Sequence, residues 1–442
     1  MKRAQLVFLL ATLVGCLIPC PNVRSASSGS VSDAPTTEPS STLRNLDTDV
    51  SNYADRAAPL LPSTLSDQQE TVLGAPDVAL LPTKTVATTA PAVPTTQPTT
   101  MGAPPAAESK NEWIIAPLPN HNPEFGWGIV GRAAYIFSLD PNDKISPPST
   151  IGLGGYYSEN HTWFAGLFGR FFIDEDRYRV IAGLMHAEVN YNFSGVGTAA
   201  GESGNSIPLS QQMNGGMGEC LFRIAPGFYL GPKYVGANVH ISVDTSDLNS
   251  PMGIPANEVN TTMSGLGVHA QWDTRDSVFY PRKGYLADVE ADFHDPAIGD
   301  SFAYQVYQAS YNQYVGLSER QVLAFRIMGR FESGDVPFYA LSQFGRGSDL
   351  RGYKFGQYQD KQMFAGQVEY RLEITRRLGA VAFAGVGEVA NSIGEMTFED
   401  LLPAGGIGVR YVLAEKNHVA IRFDYAWGRN GSQYYLTVGE AF

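Results

Sequence analysis

The chain has 442 residues, with 31 Lys and Arg against 44 Asp and Glu, a formal net charge of −13. That balance argues against a polyanion such as nucleic acid as a partner. A mean hydropathy of −0.14 with 17% charged residues excludes a helical membrane protein, although a strand protein that hides apolar side chains at every second position stays open.

Met1 to Ala26 reads as an export signal. Lys2 and Arg3 form a basic start, and Ala4 to Ile18 is an apolar run too short to span a bilayer as a helix. Two processing readings stand side by side. Val23-Arg24-Ser25 offers small residues to an ordinary signal peptidase, and Leu13-Val14-Gly15-Cys16 offers Cys16 for lipidation. The first is favoured, because an integral strand protein needs no lipid anchor. Cys20 also lies beside the signal, which leaves Cys220 alone in the mature chain and no internal disulfide framework.

Residues 27–110 are rich in Ser, Thr, Pro and Ala. Proline at this density blocks both ladder and helix, and so little apolar content cannot offset chain entropy. The segment is expected to be a disordered linker. From residue 111 to 442 glycine and aromatics rise and a period of two sets in.

Candidate strands are Gly126–Ser138, Ser149–Glu159, His161–Ile173, Tyr178–Phe193, a stretch within Leu209–Leu230, Lys233–Val243, Thr261–Trp272, Gly284–His294, Phe302–Val315 and Gln321–Glu332. They continue with Met363–Thr375, Leu378–Val389, Ala404–Leu413, His418–Trp427 and Gln433–Phe442. In Gln321–Glu332, Leu323, Phe325 and Ile327 share one face, and Arg326, Arg330 and Glu332 the other. In Met363–Thr375, Val368, Tyr370 and Leu372 alternate with Gln367, Glu369, Arg371 and Glu373. Charges on one face and large apolar residues on the other fit strands with lipid outside and a wet lumen inside. Each run has about 10 residues, the length of a tilted membrane-crossing strand. The fold class is therefore all-β, a transmembrane antiparallel barrel. Fifteen runs are visible and single-chain bacterial barrels have even strand numbers, so sixteen strands are expected, with the unassigned one placed in Leu209–Leu230.

Between two of these runs lies Gly345-Arg-Gly-Ser-Asp-Leu-Arg-Gly-Tyr353, too glycine-rich for a strand or a helix. It reads as a folded loop presenting the five-donor fork of Arg351 to an acidic or carbonyl-rich surface. This loop and its flanks resemble the BamA/TamA family of outer-membrane proteins, the bacterial surface antigens. The residues that carry the resemblance are Pro337-Phe338-Tyr339, Phe344-Gly345, Leu350-Arg351-Gly352-Tyr353, Asp360 and Glu369-Tyr370-Arg371. Upstream stand Asp273-Thr274-Arg275-Asp276, Phe279-Tyr280-Pro281 and Gly284, and the chain ends on Phe442.

The resemblance implies that Asp273, Arg275, Asp276, Pro281 and Gly284 form a periplasmic turn and that Phe442 is a barrel-end signal. It implies an extracellular loop folded into the lumen, with Leu350, Arg351, Gly352 and Tyr353 as a lock. In the family the arginine meets a Phe-x-Asp on the next-but-one strand. Here Phe383 matches and Gly385 stands in the aspartate position, so Glu369 and Glu373 are the expected substitutes. The family's well-known members carry POTRA modules before the barrel, and no alternation of strand and helix patterns of that size is visible in residues 27–110.

No histidine falls in a His-x-x-x-His spacing, and Gly201-Glu202-Ser203-Gly204-Asn205 lacks the second glycine of a nucleophile elbow. No metal, cofactor or catalytic residue is assigned. The expected function is assembly or translocation at the cell outer membrane, with outer-membrane lipids as surroundings and a client polypeptide or periplasmic assembly factor as partner. A passive or structural pore is the alternative, and an outer-membrane enzyme the third class.

Overall fold

The computed structural model describes residues 112–442 apart from 144, 244–255, 278–279, 346–348, 398 and 415–417. The signal with Cys16, the linker and Phe279 lie outside the described residues. The strands are β1 (Glu112–Asn122), β2 (Gly126–Phe137), β3 (Ser149–Ser158), β4 (Trp163–Ile173), β5 (Tyr178–Phe193), β6 (Ile207–Ala225), β7 (Phe228–Val243), β8 (Asn260–Asp273), β9 (Gly284–His294), β10 (Tyr304–Ser318) and β11 (Gln321–Gly334). After two two-residue strands in a loop, β12 (Ser342–Gln343) and β13 (Gln359–Asp360), come β14 (Gln362–Glu373), β15 (Leu378–Ala390), β16 (Leu402–Ala414), β17 (Val419–Gly428) and β18 (Gly431–Val438). Sixteen of them close into one antiparallel barrel, β1 to β11 and then β14 to β18, with β18 returning to β1.

The period of two explains the wall. Leu153, Leu167, Leu266, Val289, Ile327 and Ile407 point out and are exposed, while Glu290, Arg330, Glu332, Glu369, Arg371 and Asp424 point in. Trp127, Tyr157 and Trp427 stand outward near one rim and Trp272 and Tyr411 near the other, as aromatic girdles do.

Two details differ from the sequence reading. The sixteenth strand is β1, not a second strand within Leu209–Leu230. Pro117 and Pro119 disguise β1, because proline cannot donate to a ladder. Leu209–Leu230 holds most of β6 and the start of β7, joined by a short turn. Strand β6 has 19 residues, about 60 Å at about 3.3 Å per residue, well beyond an apolar band of about 25 Å even when tilted. Its outward residues towards the β5–β6 loop are accordingly polar, with Gln212 and Asn214 lying beside Asn238 and His240 of β7.

The loop between β11 and β14 fills the lumen. Phe338, Tyr339, Leu341, Phe344, Leu350 and Tyr358 are all buried. Phe338 packs on Phe193 of β5 at 5.9 Å between ring centroids, and Phe355 on Phe125 at 5.6 Å. The pairs Ser342–Asp360 and Gln343–Gln359 close the loop's neck. Burying a single Phe side chain contributes about 1.5–3 kcal/mol, so these apolar residues supply part of what holds the loop inside.

Candidate functional site

Arg351 is fully buried at the turn of this loop, where Gly352 has φ of 119° and a Cβ in its place would stand 2.9 Å from the Trp427 carbonyl. Only glycine allows the backbone to run that close to β17 in this conformation. Tyr435 of β18 fixes the turn, since its hydroxyl accepts from the Gly352 N–H at 2.9 Å and donates to the Tyr353 carbonyl at 3.2 Å. The Tyr353 hydroxyl donates in turn to the Pro403 carbonyl at 2.6 Å.

The guanidinium of Arg351 lies over Phe383, its Cζ 3.5 Å from the ring centroid. Its Nη1 meets Glu369 Oε2 at 2.7 Å and Asp424 Oδ2 at 2.8 Å, and its Nε donates to Gln367 Oε1 at 3.4 Å. Further arginines hold those carboxylates from the other side. Arg371 Nε lies 2.7 Å from Glu369 Oε1, and Arg410 Nη1 lies 2.6 Å from Asp424 Oδ1. Arg410 Nε reaches Glu440 at 2.8 Å, and Arg371 Nη2 donates to the Phe442 carbonyl at 2.8 Å. Each ion here loses several kcal/mol of hydration, which only shared, multiply bonded charges offset. The lock thus ties the loop to β14, β17 and β18 together.

Phe383, Glu369 and the Leu350–Tyr353 turn are therefore brought together. Glu373 is not. It lies four residues along β14 from Glu369, about 13 Å away, and takes Arg282 at 2.8 Å instead. Asp424 stands where Glu373 was expected. Gly385 has no room for the family's aspartate, because a Cβ there would meet the Gly366 carbonyl at 2.7 Å and Leu350 Cδ1 at 2.9 Å. The Leu350 side chain fills that space, and the counter-charge moves to β17. Asp424 was open to sequence reasoning only as one inward position of an alternating Arg422-Phe423-Asp424-Tyr425; nothing local marks it as the partner of a residue 73 positions earlier.

At the other rim, Arg275 grips Asp273 with two bonds of 3.0 and 2.9 Å. Asp276 accepts from the Arg282 and Lys283 N–H groups at 2.9 and 3.2 Å. Pro281 is buried, and Gly284 opens β9 with φ of 90°. Tyr280 stacks on His418 at 4.0 Å, and Arg282 carries the Glu373 contact, so this turn braces the wall below the lock.

Above the strands, Glu258 accepts the Phe338 N–H, and burial pushes its carboxyl up to about 7. Burial likewise raises Asp360, at the loop's neck, to about 6.

The model of the Omp85 superfamily domain matches residues 203–442, more than half of the chain and the whole of the lock. The chain belongs to the Omp85 superfamily. No curated protein matches the sequence. Among solved structures, BamA from Haemophilus ducreyi lacking POTRA domains 1–3 is similar with a TM-score of 0.52 at 14% identity, over 74% of this chain and 70% of that one. CdiB from Escherichia coli gives 0.50 at 10%, over 74% and 62%, and CdiB from Acinetobacter baumannii 0.49 at 11%, over 74% and 59%. At these identities the likeness is one of fold, and this Omp85 chain spans about six tenths of either CdiB.

Proposed function

We propose that this Omp85 barrel works in the bacterial outer membrane in the assembly or translocation of other polypeptides, with the β1–β18 seam as the place where a client strand pairs and the Arg351 lock as the brace that keeps the seam's wall in shape. One observation carries the reading. Strand β1 is zipped to β2 along its whole length, from Glu112–Ile136 to Asn122–Gly126, yet meets β18 in register at one position, His121 with Leu436. Pro117 and Pro119 lack N–H groups, and the unbroken β2 ladder places the shortfall on the β18 side. A poorly paired edge presents free backbone groups to an incoming strand, the general basis of strand addition. What holds the seam is local: the His121 ring stacks on Tyr434 at 3.8 Å, and its Nδ1 lies 3.0 Å from the Tyr434 carbonyl.

The passive-pore reading is less well supported, because the loop occupies the lumen with buried aromatic side chains. Depletion of the protein tests the proposal. The amounts of other barrels in the outer membrane are expected to fall. Unchanged amounts, with changed solute uptake, would favour the pore.

A further inference from the structure

Next to the lock, Arg422 has only a long ion pair with Asp424 and donates no hydrogen bond. It sits on the inward face of β17, with 6% of its surface exposed, directly across from Arg410 on β16 and beside Thr437 of β18. Like charges directly opposite on neighbouring strands repel. Three guanidinium groups converge on the one carboxylate of Asp424, and the other two take the good positions, Arg351 at 2.8 Å and Arg410 at 2.6 Å. Arg422 Nε is left 3.6 Å from Asp424 Oδ2, beyond hydrogen-bond reach, and its Nε and Nη1 are buried with no hydrogen-bond partner. The remaining carboxylates of the cluster are engaged elsewhere, Glu440 by Arg410 and Glu369 by Arg351 and Arg371. A guanidinium enclosed to this degree needs an opposite charge.

We propose that Arg422, with the facing Arg410 and the Thr437 hydroxyl, forms a binding site for a small monovalent inorganic anion of the chloride class in the barrel lumen. Arg422 donates no hydrogen bond to a carboxylate, and a monovalent ion supplies the single counter-charge that Asp424 gives it only at 3.6 Å. A dianion would be repelled by Asp424. The small residual exposure of Arg422 suits an ion rather than an organic acid. The bound anion separates two like charges and lets Asp424 serve Arg351 and Arg410 alone, so it supports the lock without touching Arg351.

The test uses the full-length protein in detergent. Its unfolding midpoint is followed as sodium chloride replaces sodium isethionate at constant ionic strength. A ligand that binds the folded state raises the midpoint with the logarithm of its concentration. The wild type is expected to show that rise, and Arg422→Gln to lose it. Equal midpoints of the wild type in the two salts, or an undiminished rise in Arg422→Gln, overturn the proposal. If Arg422→Gln does not fold, wild-type crystals soaked in sodium bromide decide the matter. An anomalous peak beside Arg422 is expected, and its absence rejects the site.

Discussion

Arg351 carries the largest consequence of any side chain here. Both carboxylates it touches keep another arginine after its loss, so the usual penalty of about 3–5 kcal/mol for breaking a buried pair is expected at its lower end. Arg351→Ala should leave the barrel folded, since its ladder closes independently, and should raise protease cleavage within residues 345–358. Lysine should rescue only in part, because it lacks the planar guanidinium over Phe383 and the second nitrogen that reaches Gln367. Double-mutant cycles should show coupling of Arg351 to Glu369 and to Asp424, and none to Glu373. Uniform additivity would place the loop's hold in its apolar residues alone. The arginine and Glu369 were legible from a nine-residue loop and a strand's alternation, and Phe383 through the family resemblance. Asp424 was not, because alternation assigns a face but the pairing partner depends on how far β17 is staggered against the loop. The pH dependence is set at the same scale. Burial raises Glu258 to about 7, so ionising it opposes the docked loop. Docking is therefore firmest at low pH and weakens as pH rises from the ordinary glutamate range to about 7. Asp360 adds a component of the same sign that ends near pH 6. The ratio of wild-type to Glu258→Gln cleavage rates in the loop should rise between about pH 5 and about pH 8. A flat ratio would contradict the assignment.

At the scale of elements, β1 decides where the barrel begins. Its prolines hid it from a search for alternating, β-prone runs, although its exposed Trp113 and Ile115 show the outward set that the period predicts. The parity of strand counting did signal that one was missing, but Leu209–Leu230 was long enough to suggest two short strands, whereas β6 is long because it rises above the lipid. Truncation separates the two parts of the N-terminal region. A chain starting at Glu112 behind a foreign export signal is expected to insert and to show heat-modifiable migration. A chain starting at Gly126 should not, because β2 and β18 would have no strand between them. Failure of the longer chain would assign residues 27–110 a role in folding.

For the molecule as a whole, the wall is closed and the locked loop fills the lumen, and the β1–β18 boundary stands out as the place where backbone pairing is thin. The turn at Asp273–Gly284 and the Gly345–Tyr353 loop could be read directly from the chain, because they depend on glycine, proline and charge at fixed spacing. The seam could not, since it arises between the first and last strands and depends on register. On the function proposed above, this boundary must open for the protein to act. The most direct measurement is a reversible cross-link, His121→Cys with Leu436→Cys, which places a disulfide at the single register position of the seam. Cells relying on this variant are compared with and without reductant for the amount of other barrels in their outer membrane. The amount is expected to fall when the disulfide is closed and to recover when it is reduced. Undiminished assembly with the seam fully cross-linked would contradict that function.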